Sequence, residues 1–534
     1  MDLKPYFSSG LINQKTSNLF SIMIQKIVKN FSVRTLVWSL VLLFLGAVIA
    51  LVLLHSWSKW TLIFPILLLE LVLYDTFQSK HTLRKNYPFL ARFRYWFESV
   101  RPEFRQYFFE GETDGKPFSR RQRSIVYQRA KNEKETIAFG MQDEPTRVGY
   151  EWAAHSIYPK KANPETFRTL VGSSQCKKPY SLSLYNISAM SYGALSKTAI
   201  TSLNRGAKMG NFAHNTGEGG ISEFHRQGGD LIWQIGTGYF GCRNEDGTFS
   251  DTLFEEKSNF PEVKMIELKL SQGAKPGHGG LLPAQKNTPE IAAIRHILPY
   301  TDVHSPSAHS AFSNAEELMY FIGKMRNLSG GKPVGFKLCI GRKDEFVDIV
   351  NAMEKTGILP DFITLDGAEG GTGAAPMEFI DYIGMPVADA LVFVSTLLKE
   401  RGLRKEIKLL ASGKIITSFD IAKAMALGAD ACYSARGMMF ALGCIQALQC
   451  DSGKCPVGIA TQDKALYKGI DVTDKSFRVA NFHKNTMRAV AEFIGACGFE
   501  HPHDVTPDVL FRKTDKYRNE SFKEMYFDKN AKAI

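Results

Sequence analysis

Cysteine is scarce in this 534-residue chain: there are eight, and none precedes Cys176. Five are scattered, at 176, 242, 339, 432 and 497, which is no basis for the disulfide framework of a small secreted domain. No Walker A stretch occurs, and no G-x-G-x-x-G opens a helix, so the usual phosphate-gripping turns of nucleotide-binding folds are missing. No internal repeat is present, which excludes a solenoid or propeller. Negative charge is in deficit, with 54 acidic residues against 66 basic and a formal net charge of +12. In a soluble protein that excess would hint at nucleic acid. Here the N-terminal region offers a simpler cause, and no nucleic-acid partner is expected.

Charge is absent altogether from TLVWSLVLLFLGAVIALVLL, residues 35–54. Twenty residues at about 1.5 Å each cross a hydrocarbon core of about 30 Å. A second apolar run, WTLIFPILLLELVLY from Trp60 to Tyr74, follows after the short connection HSWSK. Together they predict a transmembrane hairpin over 35–78, with Trp57 and Trp60 at the far interface. Glu70 costs roughly 3 kcal/mol near the middle of the second run, so a tilted or re-entrant segment is the alternative there. Lys4, Lys15, Lys26, Lys29 and Arg34 precede the hairpin, and Lys80, Arg84, Lys85, Arg92 and Arg94 follow it; only Lys59 lies between. The positive-inside rule then places both termini and the catalytic domain on the cytoplasmic face of the inner membrane. A signal peptide fits less well: the run is too long, no small-residue cleavage site follows, and a second span does.

Five segments are expected: a basic N-terminal piece (1–34), the hairpin (35–78), a basic aromatic juxtamembrane linker (79–150), a catalytic domain (151–505) and a C-terminal tail (506–534). The linker either rests on lipid or on the main domain, or is simply solvated. From about residue 180, short β-branched runs such as IWQIGTG, KMIELKLSQG, VGFKLCIG, FITLDGAEGG and IKLLASGK alternate with helical stretches such as NAEELMYFIGKMRN and SFDIAKAMALGA. That alternation predicts an α/β TIM (β/α)8 barrel, with a doubly wound open sheet as the structural alternative.

Several strand ends carry glycine and polar groups, where a barrel builds its site. ASGK (411–414) and SARG (434–437) close the last two strands, the usual position of a phosphate grip, with Lys414 and Arg436 adding charge. Ordinary strand-to-helix turns need such glycines too. QGAKPGHGG after KMIELKL sets Lys269, Gln272, Lys275 and His278 around a flexible loop, and HNTGEGG puts Glu218 between glycines, a place for a proton-handling carboxylate. GCIQALQCDSGKCPVG holds Cys444, Cys450 and Cys455 in C-x5-C-x4-C spacing. In a reducing compartment three close thiols point to a metal site before a disulfide.

MSYGALSK, NTGEGG, KLSQGAKPGHGG, LDGAEGGTGAAP and GCIQALQCDSGKCPVG occur in one order. Over roughly residues 150–500 this resembles the FMN-binding synthase domain of glutamate synthase. The resemblance implies that the three cysteines bind a [3Fe–4S] cluster, thiolates being suited to iron–sulfur ligation. It implies that Ala189, Met190, Ser191 and Tyr192 hold the flavin ring, that Gln272, Lys275 and Lys337 touch flavin or substrate, and that Gly413, Lys414, Ala435 and Arg436 take the FMN phosphate. Glu218, Lys269, Lys275 and Arg295 become the groups around 2-oxoglutarate and incoming ammonia.

The sequence also departs from that family. A glutaminase domain with an N-terminal cysteine and a C-terminal β-helix are expected to be absent, the hairpin is an addition, and His278 stands where a glutamate is expected. Ammonia would come free or from a partner. With no pyridine-nucleotide domain, electrons would come from a ferredoxin-like protein, a separate reductase or a membrane carrier. The expectation is reductive amination of 2-oxoglutarate to glutamate, hence a role in glutamate biosynthesis. A different 2-oxo acid or amino acid, or a non-catalytic electron carrier, are the alternatives.

Overall fold

The computed structural model describes residues 32–528 apart from 56 and 134. The chain divides after Glu110 into two compact units. Most of the basic segment expected over 1–34, with Lys4, Lys15, Lys26 and Lys29, lies outside the described residues.

The smaller unit begins with α1 (Val33–Leu54), started by the Ser32 hydroxyl, which accepts from Thr35 N at 3.1 Å. A short 3-10 turn (Lys59–Leu62) leads into α2 (Ile63–Phe77). Val37, Val41 and Val72 pack together, and Trp38 Nε1 donates to Thr76 Oγ1 at 3.2 Å. Elsewhere the leucines face outward; Leu43 is 69% exposed. A helix that is apolar on every side has no aqueous face. By length and composition, Val33–Leu54 and Lys59–Phe77 can each cross a membrane. After a single helical turn (Thr82–Asn86), α3 (Leu90–Phe104) runs on toward the end of this unit.

The larger unit is built on eight parallel strands: β1 (Tyr185–Ile187), β2 (His214–Asn215), β3 (Leu231–Ile235), β4 (Val263–Lys269), β5 (Val334–Leu338), β6 (Phe362–Asp366), β7 (Lys408–Ser412) and β8 (Ala431–Ser434). Each pairs with the next in sequence, and β8 pairs back onto β1, so the barrel is closed. Closure excludes the open doubly wound sheet.

Strand period two sorts the side chains. On β3, Leu231, Trp233 and Ile235 face the helices, while Ile232 and Gln234 face the interior. On β6, Ile363 and Leu365 face out; Phe362, Thr364 and Asp366 do not. The inward set changes along the barrel axis. Ile232, Met265, Phe362, Leu410 and Ala431 form an apolar layer near the strand starts, capped by Val171 and Leu182 from an antiparallel pair (Arg168–Val171 with Tyr180–Ser183). Above them Glu267 accepts from Asn215 Nδ2 (2.7 Å), Gln234 Nε2 (2.6 Å) and Thr364 Oγ1 (2.6 Å).

The boundary at Glu110 divides the stretch expected to be one linker. Within the larger unit α4 (Arg120–Lys131), started by a Ser119–Gln122 capping box, packs on the long α5 (Val472–Ala496). Phe118, Val126 and Ala130 enter the core. The excess of arginine in α4 hides that face in the sequence: Arg123 and Arg129 are themselves buried. The expected tail is also structured, because Leu510–Lys513 pairs with Glu151–Ala153 and with Asn519–Ser521.

One buried ion pair ties the barrel base together. Asp361 accepts from Ser173 N (2.7 Å) and Val334 N (2.8 Å) and faces Arg326 at 3.0 Å. Asp361→Ala leaves a buried guanidinium without its carboxylate. A loss of about 3–5 kcal/mol in unfolding free energy is expected by denaturant titration, partly recovered in Asp361→Ala/Arg326→Met.

Candidate active site

A cavity of about 580 Å³ opens at the carboxyl ends of the strands. Of the residues singled out from the sequence around the strand ends and the cysteine loop, all but Tyr192 and His278 line it. Tyr192 turns away: its hydroxyl donates to Glu290 at 2.6 Å, and its ring meets Phe224 at 4.8 Å. His278 is also outside the lining, exposed beside Phe379.

The first part of the cavity is a charged cluster. Glu218, in the loop after β2, faces Lys269 Nζ at 3.0 Å. Lys269, the last residue of β4, also donates to Gln272 Oε1 at 2.6 Å. Arg295 donates to the Tyr192 carbonyl at 3.1 Å and sits 5.1 Å over the Phe240 ring, with its Nε buried and unpaired. Lys275 reaches the Gly279 carbonyl at 3.4 Å. Burial pushes the Glu218 carboxyl up, but Lys269, Lys275 and Arg295 outweigh it and hold the group below the ordinary carboxylate range. Burial lowers Arg295 to about 10, and burial with the neighbouring Lys269 lowers Lys275. Three cations around one carboxylate leave net positive charge, suited to an anion.

The second part rises from β5 and β6. Lys337 stands opposite Lys269 in strand register and lies 3.4 Å from Asp366. Burial disfavours its charge, yet Asp366 and Glu267 hold its pKa above the usual lysine value. Asp366 Oδ2 also accepts from Gly273 N at 3.0 Å. The two loops touch there: a Cβ on Gly273 would stand 1.7 Å from the Gly367 carbonyl oxygen. Only glycine permits that approach.

The third part follows β7 and β8. Gly413 has φ 154° and Lys414 φ 50°, so the chain turns sharply. Arg436 donates to the Glu369 carbonyl at 2.6 Å and lies 4.7 Å over the Phe118 ring. Burial lowers Arg436 to about 10; burial and then Arg436 lower Lys414. Two desolvated cations beside this turn make an anion grip.

The fourth part is the cysteine loop. Cys444, Cys450 and Cys455 are free thiols on the same cavity. Tyr127 Oη donates to the Cys444 carbonyl (2.6 Å) and Lys286 Nζ to the Cys450 carbonyl (2.7 Å). Burial pushes Cys444 up to about 12. Among the described residues no three His, Cys, Asp or Glu side chains gather closely enough for a single metal ion.

Sequence reading missed Gln234, Lys286, Asp366 and Glu267. Asp366 and Glu267 had a signal. Each sits two residues from another inward position on its strand, Thr364 and Lys269, and so shares its face. Lys286 had none, being brought in by a long loop.

The pattern described as "Conserved region in glutamate synthase" matches residues 125–500. "Glutamate synthase large subunit-like protein YerD" of Bacillus subtilis is 39% identical over 484 residues, covering 83% of this chain and 92% of that protein. "Archaeal glutamate synthase [NADPH]" of Methanocaldococcus jannaschii is 34% identical over 358 residues, 66% of either chain. "Archaeal-type glutamate synthase [NADPH]" of Thermotoga maritima is 36% identical over 312 residues, 58% of either. A flavocytochrome b2 structure with pyruvate bound aligns at a TM-score of 0.40 and 13% identity, covering 79% of this chain and 85% of that one, too remote to bear on function. The chain belongs to the glutamate synthase family.

Lys269→Met leaves Glu218 in its buried place with its nearest cation gone. The native Glu218 carboxyl is held below its ordinary value of 4.5, so its stabilisation is present above pH 4.5 and is lost as pH falls through the lowered value. Thermal unfolding from about pH 7 down to about pH 2.5 is therefore expected to show the variant's deficit at its full size near neutrality and shrinking below about pH 4.5.

Proposed function

We propose that the larger unit is an FMN- and iron–sulfur-dependent oxidoreductase that converts 2-oxoglutarate and ammonia to glutamate. The observation that carries this reading is the shared cavity: the Glu218–Lys269–Lys275–Arg295 cluster, the Lys414–Arg436 grip and the three cysteines all line it. Family membership supports the same class of chemistry.

The donor set fits FMN. Lys414, Arg436 and the backbone of Gly413 and Ala435 suit a phosphate dianion. Ala189, Met190 and Ser191, with Gln272 and Lys337, border the wall between that grip and the charged cluster, the place for a ring with polar edges. The three free thiols fit an iron–sulfur cluster better than a single ion, since each thiolate would take a different iron. When bound, FMN supplies hydride transfer and the cluster supplies one-electron traffic from a ferredoxin-like or reductase donor.

The chain's own residues bind and orient. Lys269, Lys275 and Arg295 offer cations to the two carboxylates of 2-oxoglutarate. Glu218, kept ionised by them, can accept a hydrogen bond from the incoming ammonium and hold it in place. Lys337 stays charged on Asp366 and Glu267, offering a fixed cation to an anionic edge. Gly273 and Gly367 bring the loops after β4 and β6 into contact at the rim. The hairpin of α1 and α2 would hold this unit at the cytoplasmic face of the inner membrane.

The deciding experiment is anaerobic. Protein purified in detergent is reduced chemically, then mixed with 2-oxoglutarate and ammonia while the visible flavin absorbance is followed. Prompt reoxidation with glutamate formed is expected. A flavin that stays reduced rejects this substrate and favours another 2-oxo acid or an amino acid. Lys275→Met is expected to raise the 2-oxoglutarate KM roughly 10- to 100-fold, the weight of one charge-assisted contact, with FMN content unchanged. Cys450→Ser is expected to remove the iron–sulfur electron paramagnetic resonance signal while FMN remains bound.

A further inference from the structure

The smaller unit ends in a helix whose apolar side is uncovered. In α3 and the short π-helical segment after it (Arg105–Phe109), Leu90, Phe93, Phe97 and Phe104 recur at spacings of three, four and seven. That pattern puts them on one stripe of a helix. Phe93 is 48% exposed, Phe97 58% and Phe104 47%, and Phe108 continues the stripe at 74%. Among the residues of α3, only Ala91 is buried. Arg94, Arg101 and Arg105, spaced seven and four, run along one border of the stripe.

The start of this helix is fastened to the end of α2. Asp75, in the last turn of α2 and wholly buried, takes two hydrogen bonds from Arg92, both 2.8 Å, and a third from Phe89 N at 3.0 Å. Phe89 packs on the valine cluster between α1 and α2. The Trp38–Thr76 bond pins the same level of the hairpin. An aromatic stripe with an arginine border therefore begins where the second apolar helix stops. Residues 80–105 carry seven basic side chains and two acidic ones.

We infer that α3 and its extension lie in the lipid–water interface, with the phenylalanine stripe among the upper acyl chains and the arginines at anionic phospholipid headgroups. This rests on the reading of α1 and α2 as membrane-spanning. Aromatic rings favour that depth, and long basic side chains can reach headgroups from it. The net basic charge complements an anionic leaflet. The Asp75–Arg92 pair gives the helix its place, holding its start at the end of the span.

The test uses the full chain reconstituted in vesicles of phosphatidylcholine and phosphatidylglycerol. An environment-sensitive fluorescent amino acid replaces Phe97, or Ser99 on the opposite side of the helix, or Leu43 within α1. The Phe97 probe is expected to emit at shorter wavelength than the Ser99 probe. Lipid carrying a nitroxide near the headgroup should quench the Phe97 probe and spare the Ser99 probe. Lipid carrying a nitroxide deep in the acyl chain should quench the Leu43 probe. Omitting phosphatidylglycerol should weaken the Phe97 quenching by roughly two-fold or more. A Leu43 probe that no lipid quenches removes the hairpin reading itself. A quenched Leu43 probe with an unquenched Phe97 probe leaves the hairpin standing and overturns the interfacial helix: if that Phe97 emission is still blue-shifted, protein covers the stripe, and if not, water does.

Discussion

The carboxylate of Glu267 is the constraint around which the barrel interior is arranged. It sits wholly buried on β4, between an apolar layer and a charged cavity. A carboxylate there would cost several kcal/mol if left unpaired. Three donors from three other strands, Asn215 of β2, Gln234 of β3 and Thr364 of β6, satisfy it at 2.6–2.7 Å. Each donor is thereby fixed, and so is the relative height of four strands. Hydrogen bonds to a charged group contribute about 1.5–3 kcal/mol each, enough to favour one register over its neighbours.

The charge above follows from the charge below. Lys337 is buried, and burial alone would lower its pKa; Asp366 and Glu267 reverse that. Lys337 in turn keeps Asp366 where it can accept from Gly273 N, and that bond brings the β4 and β6 loops into contact. The active-site rim is therefore set by an electrostatic chain that starts in the barrel core. The other end of the cavity is held differently. Arg436 is anchored on a backbone carbonyl and on the Phe118 ring, so its charge is positioned without being neutralised. A cation held in that way remains available to a ligand anion.

Much of this was legible in the sequence because two simple periods govern it. Strand alternation ending in glycine and polar residues located the barrel and its working end, and the order of the motifs located the charged residues of the cavity. What escaped reading has identifiable causes. Glu267 lies in a strand that looks uniformly apolar except for its charges, and only the inward face gives those charges meaning. Lys286 comes from a loop with no periodicity. The stretch through α4 looked like a basic linker because buried arginines, Arg123 and Arg129, mask a helix whose Val126 and Ala130 face the core. Tyr192 sits in the right motif, but its side chain is drawn outward by Glu290.

The cysteine loop obeys the same logic as Glu267, with the sign reversed. Gln446 and Leu448 both hold positive φ, 59° and 55°, which costs non-glycine residues on the order of 1 kcal/mol or more each. The surroundings fix the first of them. The Gln446 side chain accepts from Phe118 N (3.1 Å) and donates to the carbonyls of Phe118 (3.2 Å) and Lys116 (3.4 Å), while Tyr127 holds the Cys444 carbonyl. The loop is thus held at Cys444 and Gln446 by contacts from its own chain. Its thiols are a different matter: burial drives Cys444 up to about 12 and raises Cys450 as well, so alone they would stay protonated. The loop thus presents a buried thiol, Cys455, and two half-buried ones, Cys444 and Cys450, to one cavity, and a thiolate there would need a cation beside it, a need that the neighbouring Lys286 ammonium meets in part.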